Sequence, residues 1–208
     1  EDDDFEIYNV VKDPQEAHNL AADAGMDKLQ KEFKEKALQS RMPNNTAARP
    51  YDDALIPAVK VDNIKNGIEW KAYDGPFPWV PEITTLTAVD KGVTEMPNVQ
   101  VTDKKQNVAL YFEGFIRAPS DGEYSFFVTA NSGALLRIHN AAVVDADYEY
   151  FQKSPKKGKM KLKAGLHPFR LYFLHQKNGR PSLKLEWSGP GINRELVPSS
   201  VLFHAQKD

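Results

Sequence analysis

The sequence predicts a mainly β protein, an antiparallel β-sandwich or barrel with a short N-terminal helical segment. Three observations carry this. From Asn63 onward, runs rich in aromatic and β-branched residues alternate with polar ones, and each run ends in turn residues. No helical period interrupts them, so parallel crossovers have nothing to be built from. Ahead of them, Met26, Leu29, Phe33 and Ala37 recur at steps of three and four, which places them on one helix face.

Residues 1–41 read as a first unit, strand plus helix. Phe5–Val11 (FEIYNVV) has the apolar–polar character of a short strand. Asp13-Pro14-Gln15-Glu16 reads as a helix start, with Asp as N-cap, Pro at the first helical position and Glu at the third. A longer helix is expected from Met26 to Arg41. Asp27–Lys31, Lys28–Glu32, Lys31–Glu35 and Glu32–Lys36 decorate its other faces at i,i+4. Its apolar stripe has little nearby to bury it, so it is expected to dock on the strand-rich part of the chain. Residues 42–62 hold Pro43, Pro50 and Pro57 without a hydrophobic period, and read as a linker or a strap lying on a surface.

Residues 63–208 are the β-domain. Strands are expected at Gly67–Tyr73, Val108–Arg117, Gly122–Thr129, Ala134–His139, Ala142–Asp145, Gly158–Leu162, Gly165–Gln176 and Ser182–Ser188. Asn178-Gly179 is a hairpin signal, because a type I′ turn needs φ > 0 at both central residues. In Val108–Ile116, Leu110, Phe112, Gly114 and Ile116 share one face, while Ala109, Tyr111, Glu113 and Phe115 share the other. Phe169, Leu171 and Phe173 alternate with Arg170 and Tyr172, and Trp70 and Trp187 read as core.

Composition narrows the function. The 208 residues suit one ordinary domain plus an appendage. Lys and Arg number 27 against 29 Asp and Glu, so no basic excess points to nucleic acid. No apolar run approaches the ~20 residues of a membrane-spanning helix. With no Cys, disulfides, thiol nucleophiles and zinc-thiolate sites are excluded. Glu1-Asp2-Asp3-Asp4 opens the chain with neither Met nor an apolar run, so an upstream portion of a longer protein is expected.

Two stretches resemble known families. GIEWKAYDG, NVALYFEGFIRAPSDGEYSFFVTANSGALLRIHN, KLKAGLHPFRLYFLH and SLKLEWSGPGINRELVPSSVLFH come in order from Gly67 to His204. Their F-x-G-x-I strand, P-x-D-G-x-Y turn, K-A-G-x-H-P turn and closing W-x-G-P-G resemble the anthrax protective-antigen-type domain. That resemblance implies a β-sandwich appended to secreted glycosidases, adhesins and toxins, often binding carbohydrate. FEIYNVVKDPQEAHNLA, through Asp13-Pro14, Glu16 and Asn19-Leu20-Ala21, resembles the C-terminal tail of the sulfatase family. The sulfatase C/S-x-P-x-R nucleophile motif has no counterpart here; Ser40-Arg41-Met42-Pro43 does not fit it. The catalytic domain is therefore expected upstream of Glu1.

The resemblance also directs attention to sites. Calcium-binding members of the β-domain family carry two consecutive acids in an S-D-D-G turn. The matching positions are Ala130-Asn131-Ser132-Gly133, where neutral oxygens replace both carboxylates. No metal or other cofactor is expected; weak calcium held by Asn131 and Asp145 is the alternative. Sugar contact is expected from Asn131, Asp145, Asp147, Tyr148, Tyr150 and Trp79, with Phe151 beside them. Trp79 lies in a Pro-rich loop of the kind that covers a barrel end. His18, His139, His167, His175 and His204 lack metal-ligand spacing, and His167 is expected to fix its turn by a hydrogen bond. The basic run Lys153–Lys163 suits a sulfated polysaccharide, or equally an edge strand guarded by lysines. Asp52-Asp53 has no partner acid placed for glycosidase work.

The sequence thus predicts a non-catalytic carbohydrate-binding module at the C-terminus of an extracellular or periplasmic bacterial sulfatase. Its partners would be a glycan, sulfated or not, and the catalytic domain. The alternative is a structural or interaction domain that packs on that catalytic domain without binding sugar.

Overall fold

The computed structural model describes residues 6–40, 54–104, 106–147, 155–176 and 180–206. Twelve strands lie in two antiparallel sheets. The larger runs β1 (Ile64–Asn66), β12 (Leu202–Ala205), β4 (Val108–Ala118), β9 (Gly165–His175), β6 (Ala134–Ile138) and β7 (Ala141–Ala146). To it are added β2 (Ile68–Asp74), paired with β4, and β3 (Asp90–Thr94), paired with β2. The smaller sheet runs β11 (Ile192–Leu196), β10 (Leu183–Gly189), β5 (Gly122–Ala130) and β8 (Lys156–Leu162). This is the expected β-sandwich.

Alternation builds the core. Leu110, Phe112 and Ile116 of β4 point between the sheets, as do Phe169, Leu171 and Phe173 of β9. Tyr124, Phe126, Trp187 and Trp70 meet them from β5, β10 and β2. Burying each such side chain contributes about 1.5–3 kcal/mol. The Tyr124 and Trp187 rings stack at 5.7 Å, and Tyr124 also donates its hydroxyl to the Ser120 carbonyl at 2.7 Å. Gly158 of β8 lies directly under the Val143 carbonyl of β7, where no side chain fits.

The eight expected strands form, with ends shifted by a residue or two, but four more appear. β1, β3, β11 and β12 are short, and β3 (DKGVT) and β11 (INREL) are largely exposed. They lie at or near sheet edges, where solvent on one side removes the apolar alternation that marks a central strand. The outer face of β4 departs from simple alternation too: Ala109 and Tyr111 are buried there, because residues 75–88 fold across them. The Asn178-Gly179 turn lies outside the described residues.

The N-terminal unit differs from expectation. The described part of Phe5–Val11 is not a strand; Ile7 donates its amide to Asn19 Oδ1 instead. Asp13 starts no helix. Its carboxylate accepts the His18 amide, and successive turns fill residues 10–25. The run is held by local side-chain bonds to backbone. The helix α1 forms over Asp27–Ser40, yet none of residues 27–37 is buried and Phe33 is 46 % exposed. The expected docking of its stripe on the β-domain is not observed.

Of residues 42–62, the described part, 54–62, lies against the sandwich. Ile56 enters the core, donates its amide to Lys161 O and accepts from the Lys163 amide. Val59 then donates to Leu166 O. The chain thus touches β8 and β9, one strand from each sheet, before β1 begins.

Candidate functional site

After β2 the chain leaves the sheet at Gly75 and lays residues 75–88 over its outer face. Phe77, Val80, Ile83 and Leu86 pack there on Tyr73, Ala109, Tyr111 and Leu174, forming a second small core. This apolar underside explains why a Pro-rich loop is fixed rather than free. Asp147, just past β7, clamps it: both carboxylate oxygens accept the Val80 amide at 2.9 Å. Burial holds the Asp147 carboxyl above the usual range, and the Asp145 charge adds to this, while the Val80 bond opposes it. Asp145 Oδ1 in turn accepts the Asp147 amide at 3.1 Å. The residue before Val80 is Trp79, which remains 66 % exposed.

The turn after β5 meets the same point. A Cβ on Gly133 would lie 2.6 Å from Asp147 Oδ1, so this turn takes glycine to let the carboxylate in. Gly133 O accepts the Leu174 amide at 2.8 Å, tying the turn to β9. Two residues earlier, Asn131 is engaged with the connection before β10. Its Oδ1 accepts the Ser182 amide at 2.9 Å and its Nδ2 donates to Arg180 O at 2.8 Å. The fold therefore brings the segments bearing Trp79, Asp145 and Asp147 to one rim, next to the Asn131 turn. Tyr148, Tyr150 and Phe151 lie outside the described residues. Among the described residues, no three His, Asp or Glu side chains gather as metal ligands.

Two arrangements escaped sequence reasoning. His139 and His167, 28 positions apart, meet in the buried region at 2.9 Å, Nε2 to Nδ1. His167 Nε2 donates to the Lys163 carbonyl at 2.8 Å, the turn-fixing bond expected of it. That bond leaves Nδ1 as the acceptor for His139 Nε2–H, so the His167 ring is neutral. Burial pushes His139 down to about 4 and lowers His167 as well. The second is a polar row on the outer face of the large sheet. Lys71 Nζ donates to Glu113 Oε1 and Tyr111 donates its hydroxyl to Glu113 Oε2, each at 2.9 Å. The Tyr111 and Tyr172 rings lie 5.0 Å apart beside them. Alternation had placed Tyr111 and Glu113 on one face; only the strand order showed that Lys71 and Arg170 share it.

Lys156, Lys157, Lys159 and Lys161 of the basic run fall on β8, at the edge of the small sheet. Lys159 pairs with Glu123 at 2.6 Å, and Lys157 lies 5.4 Å over the Phe127 ring, whose other neighbour is Arg194 at 4.2 Å. Part of its charge is thus spent within the sheet.

This two-sheet sandwich is shared with known proteins. The family model of the PA14 domain matches residues 65–200, and the chain belongs to that family. It is 33 % identical over 161 residues to the anti-sigma-I factor RsgI3 of Acetivibrio thermocellus, a match covering 77 % of this chain and 21 % of that protein. The chain thus spans about a fifth of that relative's length. Among solved structures it resembles an anti-sigma factor domain-containing protein from Clostridium clariflavum, with a TM-score of 0.55 and 23 % identity over 77 % of this chain and 53 % of that one. The PA14 sugar-binding domain from an RTX adhesin superposes with a TM-score of 0.55 at 15 % identity, covering 67 % of this chain and 99 % of that one. The A domain of epithelial adhesin 9 from Candida glabrata, in complex with Galβ1-4GlcNAc, gives 0.54 at 11 % identity, covering 80 % and 97 %. At these identities the structural likeness concerns the fold.

Proposed function

We propose that this PA14 domain is a non-catalytic carbohydrate-binding module that works outside the cytoplasm, in the extracellular space or a bacterial periplasm. The observation that carries the reading is the rim at Asp147, where an exposed Trp79 is presented on a loop latched by a carboxylate. An indole face stacks on the apolar face of a sugar ring, and Asp145, Asp147 and Asn131 are proposed to meet its hydroxyl groups. Solved sugar-binding relatives on the same fold support it. Tyr148 and Tyr150 belong to the same proposed surface by their place in the chain after Asp147. The module is proposed to work without a cofactor, because Asn131-Ser132 offers no carboxylate pair to calcium.

Residues 1–41 are proposed to close a sulfatase-family enzyme, with 42–62 as linker and 63–208 as the module. Asp13-Pro14, Glu16 and Asn19-Leu20-Ala21 support this, together with the bonds by which Asn19 holds Ile7 and Ala21. Holding an enzyme on its polymer raises local substrate concentration, and that is the benefit such a module supplies. The sequence upstream of Glu1 tests the parent: a C/S-x-P-x-R motif there supports it, and a membrane-anchored regulator there removes it. Glycan-array binding tests the module, with Trp79→Ala expected to reduce binding tenfold or more. The 33 % identity to an anti-sigma factor favours a second reading, an interaction domain of a regulatory protein that packs on its neighbour without binding sugar. A blank array with the folded domain would select it.

A further inference from the structure

A groove of about 460 Å³ opens on the outer face of the large sheet, meeting the underside of the latched loop at Tyr111. That volume falls among small-ligand sites, which run to about 300–1,000 Å³. Cross-strand pairing sets its floor. Phe115 of β4 lies opposite Pro168 of β9, and Glu113 lies opposite Arg170. Glu69 of β2 sits across from Glu113 on the other side. The groove exists because β2 and β12 both pair with the same edge of β4, one after the other, and leave a notch near Gly114. Five residues of β4 lie between Phe115 of the groove floor and Ala109 beneath the latched loop.

The polar groups are held in advance. Glu113 is fixed by Lys71 and Tyr111, at one oxygen each, and each oxygen retains a lone pair. Arg170 Nη2 donates to the His139 carbonyl and to Asn140 Oδ1, and its guanidinium keeps further N–H donors. The His139 carbonyl is presented because His139 takes a positive φ of 52° and donates its own amide to Pro168 O. Groups fixed before binding lose little entropy on binding. An apolar ring-sized floor, flanked by carboxylates that accept hydroxyl protons and a guanidinium that donates, matches a pyranose. Glu69 and Glu113 against Lys71 and Arg170 leave no net positive charge to draw in a sulfate ester.

We infer that this groove is a second carbohydrate site, which takes an unsulfated sugar unit and is separate from the Trp79 rim. The inference does not depend on the rim binding sugar. The test is ¹⁵N shift mapping on the whole chain with cellotetraose, xylotetraose, mannotetraose and β-1,4-galactotetraose, beside a sulfated galactan tetrasaccharide. At least one unsulfated tetraose should move the amides of 113–115, 139–140 and 169–170, and the sulfated one should not. Glu113→Gln should weaken that binding about tenfold, the loss expected of a charged hydrogen bond. Trp79→Ala should leave it unchanged. The inference is overturned if no tetraose moves these amides, if Trp79→Ala abolishes their shifts, or if the sulfated sugar binds there as well. Rim shifts lost in Trp79→Ala report separately on the proposed function, and mapping on the unmutated chain stands even if Glu113→Gln folds poorly.

Discussion

Asp147 shows how one side chain can organise a loop 67 positions away in the sequence. Its pKa is raised by burial, so protonation favours the folded state: that contribution is complete below the usual value of 3.8 and is lost as pH rises through the higher folded value. At neutral pH the buried charge is therefore a cost that the Val80 amide offsets. Asp147→Asn should melt at or above the unmutated temperature at pH 7, whereas Asp147→Ala should lose about 1 kcal/mol by stranding the Val80 N–H. Chemical denaturation of both variants reads the difference. His139 runs the other way. Its folded pKa near 4 lies below the ordinary 6.5, so its stabilising share is full above 6.5 and falls away as pH drops toward 4. That share is about 3 kcal/mol, since each pH unit between the two values corresponds to about 1.4 kcal/mol. Stability measured from pH 7 to 4 should fall less steeply in His139→Gln than in the unmutated chain. Phe112, Phe169 and Trp187 were legible as core because alternation is a local property. The Asp147–Val80 and His139–His167 contacts were not, because each joins residues that only the completed fold makes neighbours.

At the scale of elements, the long central strands declared themselves and the short edges did not. β4 and β9 pair over eleven residues apiece, and Leu110 and Phe112 of the one and Phe169, Leu171 and Phe173 of the other recur at every second position on the inner face. β3 and β11 have charged, solvated faces, and a strand half in water has no hydrophobic period to display. The helix α1 was legible in its 3.6-residue period, but period alone does not say what covers a stripe. With Phe33 half exposed, Phe33→Glu should shift stability by no more than about 0.5 kcal/mol, as for an ordinary surface site. A loss of several kcal/mol in thermal unfolding would mean the helix packs on the β-domain after all. Ile56 lies in the segment proposed as linker. It is fully buried, so Ile56→Ala should cost about 2–5 kcal/mol.

For the whole molecule, the fold class and the family were readable because turn motifs and core faces recur in order along two thirds of the chain. The rim was half readable: the residue types were named, but their convergence on Asp147 depended on a loop crossing the outer sheet face. Millimolar calcium should raise the melting temperature little, since stabilisation grows as RT ln(1 + [L]/Kd) and the Asn131 turn supplies no acidic pair. A rise of several degrees that EDTA abolishes would contradict this.

The contact of residues 56–59 with both sheets has a mechanical meaning. A load arriving from the N-terminal side reaches Ile56 and Val59 before any strand of the sandwich. There it meets three backbone hydrogen bonds, two at β8 and its adjoining turn and one at β9. The Ile56 bridge runs parallel to β8, and the Val59 bridge is antiparallel to β9. Tension is divided between the two sheets and borne across several bonds at once instead of opening them one by one. The segment acts as a clasp that keeps the sandwich shut under such a load. In single-molecule extension from the N-terminal side, Ile56→Ala should lower the first rupture force, while a load applied between β1 and the C-terminal end should leave that force unchanged.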